Sequence, residues 1–216
     1  MLLEKEREDV VEYGKQLITK GLTSGTGGNI SICDREKKLF AISPSGMAYF
    51  DTTPEDVVVV DFEGRVVAGE RKPSSEIEMH RQIYVHYAEA DAIVHCHSTF
   101  ATVLSTLRQD LPASNYVVAD AGGNSVRCAD YACFGTPEIA ENAVKALKGR
   151  RACLQANHGQ ICFGRGIEEA FKLAISIEWA CKIHVLACCC GTPKILSDTE
   201  MAEVMTHFAS YGQKKE

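Results

Sequence analysis

Apolar positions recur at helical spacing in the first twenty residues. Val10, Val11, Leu17 and Ile18 share one side of a charged segment, 4 to 20, which stops at Gly21, a natural left-handed cap. Residues 23 to 29 are too glycine-rich for anything but a loop. Ile30 to Cys33 and Leu39 to Ile42 then read as a hairpin around Asp34 to Lys37, and Val57 to Asp61 with Arg65 to Ala68 as a second, turning at Glu63-Gly64. Ser74-Ser75-Glu76 opens an amphipathic stretch carrying Ile77, Ile83, Tyr84 and Tyr87, and Ala92 to His97 reads as a buried strand. Thr136-Pro137-Glu138 is a helix start, with proline in the first turn and an acid at the positive dipole end, and Gly149 ends that helix. Ala152 to Gln155 and Ile161 to Phe163 bracket a turn at Asn157-His158-Gly159. A long helix follows from about 167 to 189, stopped by Gly191-Thr192-Pro193, and Ser197 to Glu200 forms a capping box for a last helix through about Ser210. Hairpins first and helix–strand alternation afterwards predict one mixed α/β domain over 1–216 with a largely antiparallel sheet.

Composition narrows the function classes. The 216 residues carry 23 Lys and Arg against 29 Asp and Glu, a net charge of −6 with the basic residues scattered, so neither nucleic acid nor an anionic membrane is an expected partner. The start MLLEKEREDV lacks the apolar core of a signal peptide, and no apolar run approaches the ~18 residues of a membrane span. Ten cysteines contain no C-x-x-C pair, so they read as small packing residues in a reducing cytoplasm and not as a zinc ribbon or disulfide scaffold. Asn29-Ile30-Ser31 matches a glycosylation acceptor only formally.

Three features resist a packing explanation. His95 and His97 flank Cys96 in an apolar strand, where a period of two sends both imidazoles to one face and Cys96 to the other. His158 sits in a turn just past another strand. Glu76 heads a helix, which places its carboxylate at a loop edge. Three imidazoles and a carboxylate are a ligand set suited to a catalytic Zn²⁺, although spacing alone does not join them. His80 follows Glu76 by one helical turn and is placed to support it, whereas His86, His184 and His207 read as solvated or packing residues. A second group suits an anion: the glycine-rich loop, the tight turn Pro44-Ser45-Gly46, and the Ser74 and Ser75 hydroxyls at a helix N-terminus. The loop lacks the third glycine of a dinucleotide fingerprint, and there is no Walker lysine.

Taken in order, G-T-G-G-N-I-S, I-S-P-S-G, K-P-S-S-E, I-V-H-C-H-S, A-G-G-N-S and N-H-G-Q resemble the class II aldolase and adducin family, in the pattern of its L-fuculose-1-phosphate-cleaving members, from about residue 8 to Tyr211. The resemblance implies a three-layer α/β/α fold with a mainly antiparallel central sheet. It also implies a homotetramer with active sites between subunits. It assigns one Zn²⁺ per subunit to Glu76, His95, His97 and His158, and a substrate phosphate to the Gly28 and Asn29 backbone, Ser45, Gly46, Ser74 and Ser75. Glu76 becomes the acid–base group, Tyr116 is lent by the adjacent subunit, and Tyr211 closes over the site. The implied reaction is reversible cleavage of a ketose 1-phosphate, with L-fuculose 1-phosphate foremost, to dihydroxyacetone phosphate and L-lactaldehyde. Asp120 departs from that pattern and resembles the acid–base aspartate of L-ribulose-5-phosphate 4-epimerase. The aldehyde end falls to Asp120, Tyr131, Phe134 and Tyr211. Aldolases for 5-deoxyribulose 1-phosphate, dehydratases for methylthioribulose 1-phosphate and a silent adducin-like module are the alternatives.

Overall fold

A computed structural model describes residues 1 to 208. The helices are α1 (Glu4–Thr19), α2 (Ile77–His86), α3 (Thr99–Thr106), α4 (Pro137–Leu147), α5 (Ile167–Cys190) and α6 (Asp198–Phe208), with a 3₁₀ segment at Tyr116–Ala121. The strands are β1 (Asn29–Asp34), β2 (Leu39–Ile42), β3 (Val58–Asp61), β4 (Val66–Ala68), β5 (Ala92–Cys96), β6 (Leu111–Pro112), β7 (Ser125–Val126), β8 (Cys128–Ala129), β9 (Ala152–Gln155) and β10 (Gly159–Gly164). Eight of them form one sheet in the order β4-β3-β2-β1-β5-β10-β9-β8, and β6 pairs with β7 apart from it. Every pairing in the large sheet is antiparallel except β8 with β9.

Helices cover both faces, giving the three layers expected. One face buries Ile30, Ile32, Val94, Cys96, Leu154 and Cys162 together with residues of α1, α3 and α5. The other buries Phe40, Ile42, Ile93, Ile161 and Phe163 against Met79, Ile83 and Tyr84 of α2 and Ala140 and Ala143 of α4. Successive residues of β5 thus alternate between two hydrophobic cores, which is why the strand reads as a continuous apolar run. That alternation puts His95 on the α2 side and Cys96 on the α5 side.

The early hairpins and the helix boundaries fall where the pattern puts them, except that the last helix's expected end near Ser210 lies outside the described residues. Ser197 and Glu200 make the reciprocal capping box: the Ser197 N–H donates to Glu200 Oε2 at 2.7 Å, and the Glu200 N–H to Ser197 Oγ at 3.3 Å. The expectation that no apolar run approaches a membrane span stands, although α5 is long and apolar enough on average to cross a bilayer by length and composition. Its scattered charges interrupt the run without lowering the average enough. In the fold its Ala170, Phe171, Ala174, Ile177 and Cys181 side chains are buried in the core below the sheet. The cysteines divide as well. Cys33, Cys96, Cys153, Cys162 and Cys181 are buried, Cys128 is half-buried, and Cys133, Cys188, Cys189 and Cys190 are exposed; all ten are free thiols.

Candidate metal centre and anion cleft

Strand pairing assembles the site. β5 lies between β1 and β10, with Asn29 opposite His95 on one side and Ile161 opposite His95 on the other. The turn from β9 to β10 therefore brings His158 to the C-terminal end of β5, where His97 follows the last strand residue. His158 Nε2 and His95 Nε2 lie 3.7 and 3.0 Å from the Glu76 carboxylate, and His95 Nε2 lies 3.0 Å from His97 Nε2. The four candidate ligand atoms all fall within 4.8 Å of one another. The ring centroids stand 4.8 to 4.9 Å apart. Sequence spacing left these residues unconnected, and the sheet register connects them.

The donor set fits a divalent metal. His95 Nδ1 is 2.9 Å from the Gln160 carbonyl, so Nδ1–H donates there and Nε2 is left to face the cluster. Glu76 Oε1 is buried without any hydrogen-bond partner, an expensive state for a carboxylate oxygen unless a cation sits against it. Burial pushes His97 and His158 down to about 4, so both imidazoles are neutral and able to ligate at neutral pH. Burial also opposes the His95 cation, but the Glu76 carboxylate and the Gln160 carbonyl outweigh it and raise His95. Burial likewise opposes ionisation of Glu76, yet His95, His158 and the Asn29 amide hold it well below the usual carboxylate range. Glu76 is only 5% exposed, so it lies inside the structure and not at a loop edge. It immediately precedes α2, whose His80 and Tyr84 bond to Asn29 and Ser31 of β1, and the carboxylate is carried inward with them.

A cleft of about 270 Å³ opens beside the cluster, lined by Gly28, Asn29, Ser45, Gly46, Ser74 and Ser75 together with Glu76, His97, His158 and Phe134. All six residues expected around phosphate are in that wall. Two loops are stitched together to put them there: the Ser45 N–H donates to the Lys72 carbonyl at 2.9 Å and the Ser74 N–H to the Ser43 carbonyl at 3.1 Å. The Ser74 hydroxyl accepts the Glu76 N–H at 3.3 Å, so it holds the turn that leads into α2 as well as lining the cleft. The glycine loop has a second role that its composition did not reveal. A Cβ on Gly27 would meet His97 Nδ1 at 2.8 Å, and one on Gly28, at φ +77°, would meet the His95 carbonyl oxygen at 2.7 Å. The loop is glycine because it lies directly against the two histidines.

The remaining candidates stand elsewhere in the chain. Tyr116, 52% exposed, and Asp120 lie on the 3₁₀ segment and line a different cavity of about 670 Å³ with Arg151, Glu169, Lys172 and Phe208. Tyr131 sits under the Arg108 guanidinium at 5.4 Å, and Tyr211 falls outside the described residues. Sequence reasoning missed the side chain of Asn29, whose Nδ2 donates to Glu76 Oε2 at 2.9 Å. The two stand 47 positions apart, and the chain between them carries no local signal. His80, by contrast, was betrayed by its helical spacing and reaches Asn29 Oδ1 at 2.5 Å.

The class II aldolase and adducin N-terminal domain matches residues 8–185. The chain is 48% identical to the 5-deoxy-D-ribulose 1-phosphate aldolase of Bacillus thuringiensis over 99% of its own length and 100% of that protein. It is 40% identical to the 5-methylthioribulose-1-phosphate/5-deoxyribulose-1-phosphate aldolase of Rhodospirillum rubrum, over 95% of this chain and 92% of that one. A solved L-fuculose 1-phosphate aldolase superposes with a TM-score of 0.93 at 47% identity, covering 95% of this chain and 96% of the other. Fold, candidate metal group and full-length similarity agree, and the chain belongs to the class II aldolase and adducin family as a metal-dependent aldolase.

Proposed function

We propose that the enzyme cleaves a deoxyketose 1-phosphate reversibly between C3 and C4, giving dihydroxyacetone phosphate and a short methyl-terminated aldehyde, with zinc as its metal. One observation carries this reading: Glu76, His97 and His158 line the same small cleft as the Ser45, Ser74 and Ser75 hydroxyls. A phosphate held by the serines and the Gly28–Asn29 backbone sets the sugar carbons beside the metal ligands. A metal held by Glu76, His95, His97 and His158 supplies Lewis-acid stabilisation of the charge left when the C3–C4 bond breaks. Glu76, by the family resemblance the ligand that would yield when substrate arrives, then carries the proton to and from C3, a role suited to a carboxylate inside the cleft wall.

By the family resemblance Tyr116 takes the proton of the departing O4 hydroxyl, and Tyr211, which lies outside the described residues, is the tyrosine assigned to the aldehyde end. Tyr116 and Asp120 stand outside the cleft of their own chain, which supports a homotetramer in which each subunit lends them to its neighbour. Ten free thiols are consistent with a reducing cytoplasm. The exposed ring of Phe134 at the cleft favours a substrate ending in a methyl group over one ending in a hydroxyl or a second phosphate.

L-fuculose 1-phosphate and 5-deoxyribulose 1-phosphate both meet that description, releasing lactaldehyde and acetaldehyde, and the names of the relatives divide between them. The test offers both, with 5-methylthioribulose 1-phosphate and L-ribulose 5-phosphate, and detects dihydroxyacetone phosphate with and without chelator. Chelator-sensitive release from a deoxyketose 1-phosphate supports the proposal, and the higher kcat/KM names the substrate. No release, with ribulose 5-phosphate converted to xylulose 5-phosphate, refutes it in favour of epimerisation through Asp120.

A further inference from the structure

Behind the metal ligands lies a row of buried polar groups that bond cleavage does not use. β1 presents Asn29 and Ser31 on the α2 side two residues apart, about 6.7 Å along a strand. Glu76, His80 and Tyr84 follow one another every four residues on the facing element, about 6 Å along a helix. The near-equal repeats let the two rows interleave. Asn29 Nδ2 donates to Glu76 Oε2 at 2.9 Å, His80 Nε2 meets Asn29 Oδ1 at 2.5 Å, His80 Nδ1 meets Ser31 Oγ at 2.6 Å, and Ser31 Oγ meets the Tyr84 hydroxyl at 2.6 Å. Ser31, His80 and Tyr84 are all 0% exposed, and Asn29 is 4%.

Donor and acceptor capacity then fixes every hydrogen in the row. An ionised Glu76 accepts only, so the Asn29 NH₂ faces it and the amide oxygen faces His80. His80 Nε2 must therefore carry hydrogen. Burial pushes His80 down to about 3, so the ring is neutral and Nδ1 is bare, accepting the Ser31 O–H. Ser31 in turn accepts the Tyr84 O–H. Each hydrogen points toward Glu76.

We propose that His80 is a positioning residue: it locks the Asn29 amide with its NH₂ toward Glu76, and Ser31 and Tyr84 set the histidine tautomer that makes this possible. Without His80 the Asn29 oxygen loses its donor, and the amide is held at one end only and is free to swing out of line with the carboxylate. Glu76 then loses its fixed orientation toward the metal. The inference rests on the reading of Glu76 as a metal ligand.

The test is a zinc titration of metal-free protein against a chromophoric chelator, with melting curves of the same samples, on wild type, His80→Leu, His80→Gln and Ser31→Ala. His80→Leu should weaken zinc binding about 10-fold or more. His80→Gln, whose amide offers Asn29 an N–H and Ser31 an oxygen, should recover most of that loss, and Ser31→Ala should fall between. Equal affinity in wild type and His80→Leu overturns the inference, as does equal weakening in the Leu and Gln variants at matched melting temperatures. If His80→Leu does not fold, unchanged affinity in Ser31→Ala overturns it and weakened affinity supports it. A wild-type protein that takes up no zinc removes the metal reading and this inference together, whereas zinc uptake with indifferent variants removes this inference alone.

Discussion

Gly28→Ala isolates how tightly the anion loop is built against the metal ligands. The residue stands at φ +77°, and its added Cβ would lie 2.7 Å from the His95 carbonyl oxygen and 3.3 Å from Cys96 Cα. Both are backbone atoms of β5, so no side chain can swing aside. The left-handed conformation costs about 1–2 kcal/mol for a residue with a Cβ. Overpacking against a strand held on both sides adds about 1–3 kcal/mol. Gly25→Ala is the internal control, because Gly25 also has a positive φ, +61°, but nothing within 4 Å of its Cβ. It carries the conformational term alone. In a chain of this size each kcal/mol lowers Tm by about 2–4 °C, so Gly25→Ala should fall by a few degrees and Gly28→Ala by about 5–15 °C. Displacing the end of β5 also moves His95, and a shift near 1 Å is enough to cost about 100-fold in turnover. Differential scanning calorimetry of metal-free protein and steady-state kinetics read the two effects. A Gly28→Ala protein that melts and turns over like Gly25→Ala would refute the claim that the loop is glycine for contact with the histidine strand.

Three further outcomes are expected. Glu76→Gln should weaken zinc binding and nearly abolish turnover while the protein still folds, and undiminished turnover would remove Glu76 from proton transfer. His80, depressed to about 3, is neutral in the fold, whereas an unfolded histidine takes up a proton below about 6.5. Its contribution is therefore complete above that pH and is lost on acidification toward 3, at about 1.4 kcal/mol per pH unit. Denaturant titrations of metal-free protein at pH 7 and pH 5 should differ by about 2 kcal/mol more in wild type than in His80→Gln, and parallel behaviour would contradict the assignment. Glu178 of α5 accepts the backbone N–H groups of Phe100 and Ala101 at 2.9 to 3.1 Å, capping the first turn of α3 from across the fold. Glu178→Ala should cost about 1–2 kcal/mol with a matching fall in Tm.

How far the sequence revealed this molecule depends on the range over which each feature is specified. Hairpins, helix stops and the Ser197–Glu200 box are written within a few residues, and they were legible. So was the shared face of His95 and His97, because strand periodicity is local. The stretch from 98 to 135 was not, since α3 has only eight residues and takes its cap from Glu178 instead of from its own flank. The depth of Glu76 was misread for a similar reason. A residue at a helix start is exposed by default, and only the packing of α2 on β1 buries it. The exposed Cys188, Cys189 and Cys190 show the converse, a run of apolar character left at the surface, where Cys188 Sγ lies 3.7 Å from His184 Nε2.

Arg35 gives the row behind the metal ligands a wider meaning. It follows directly on β1 and donates to the carbonyls of Tyr84 and Tyr87 at 2.8 and 2.7 Å and to the Asp91 carboxylate at 3.1 Å. Its guanidinium also lies 5.6 and 5.7 Å from the rings of Phe62 and Tyr84. The strand thus grips the helix at both ends, Asn29 where it begins and Arg35 where it finishes. Neither element can slip along the other by a residue without breaking both grips. For protein engineering, residues 29–35 and 76–91 are one transplantable part: a scaffold that accepts them together receives an oriented carboxylate, and one that accepts either alone does not.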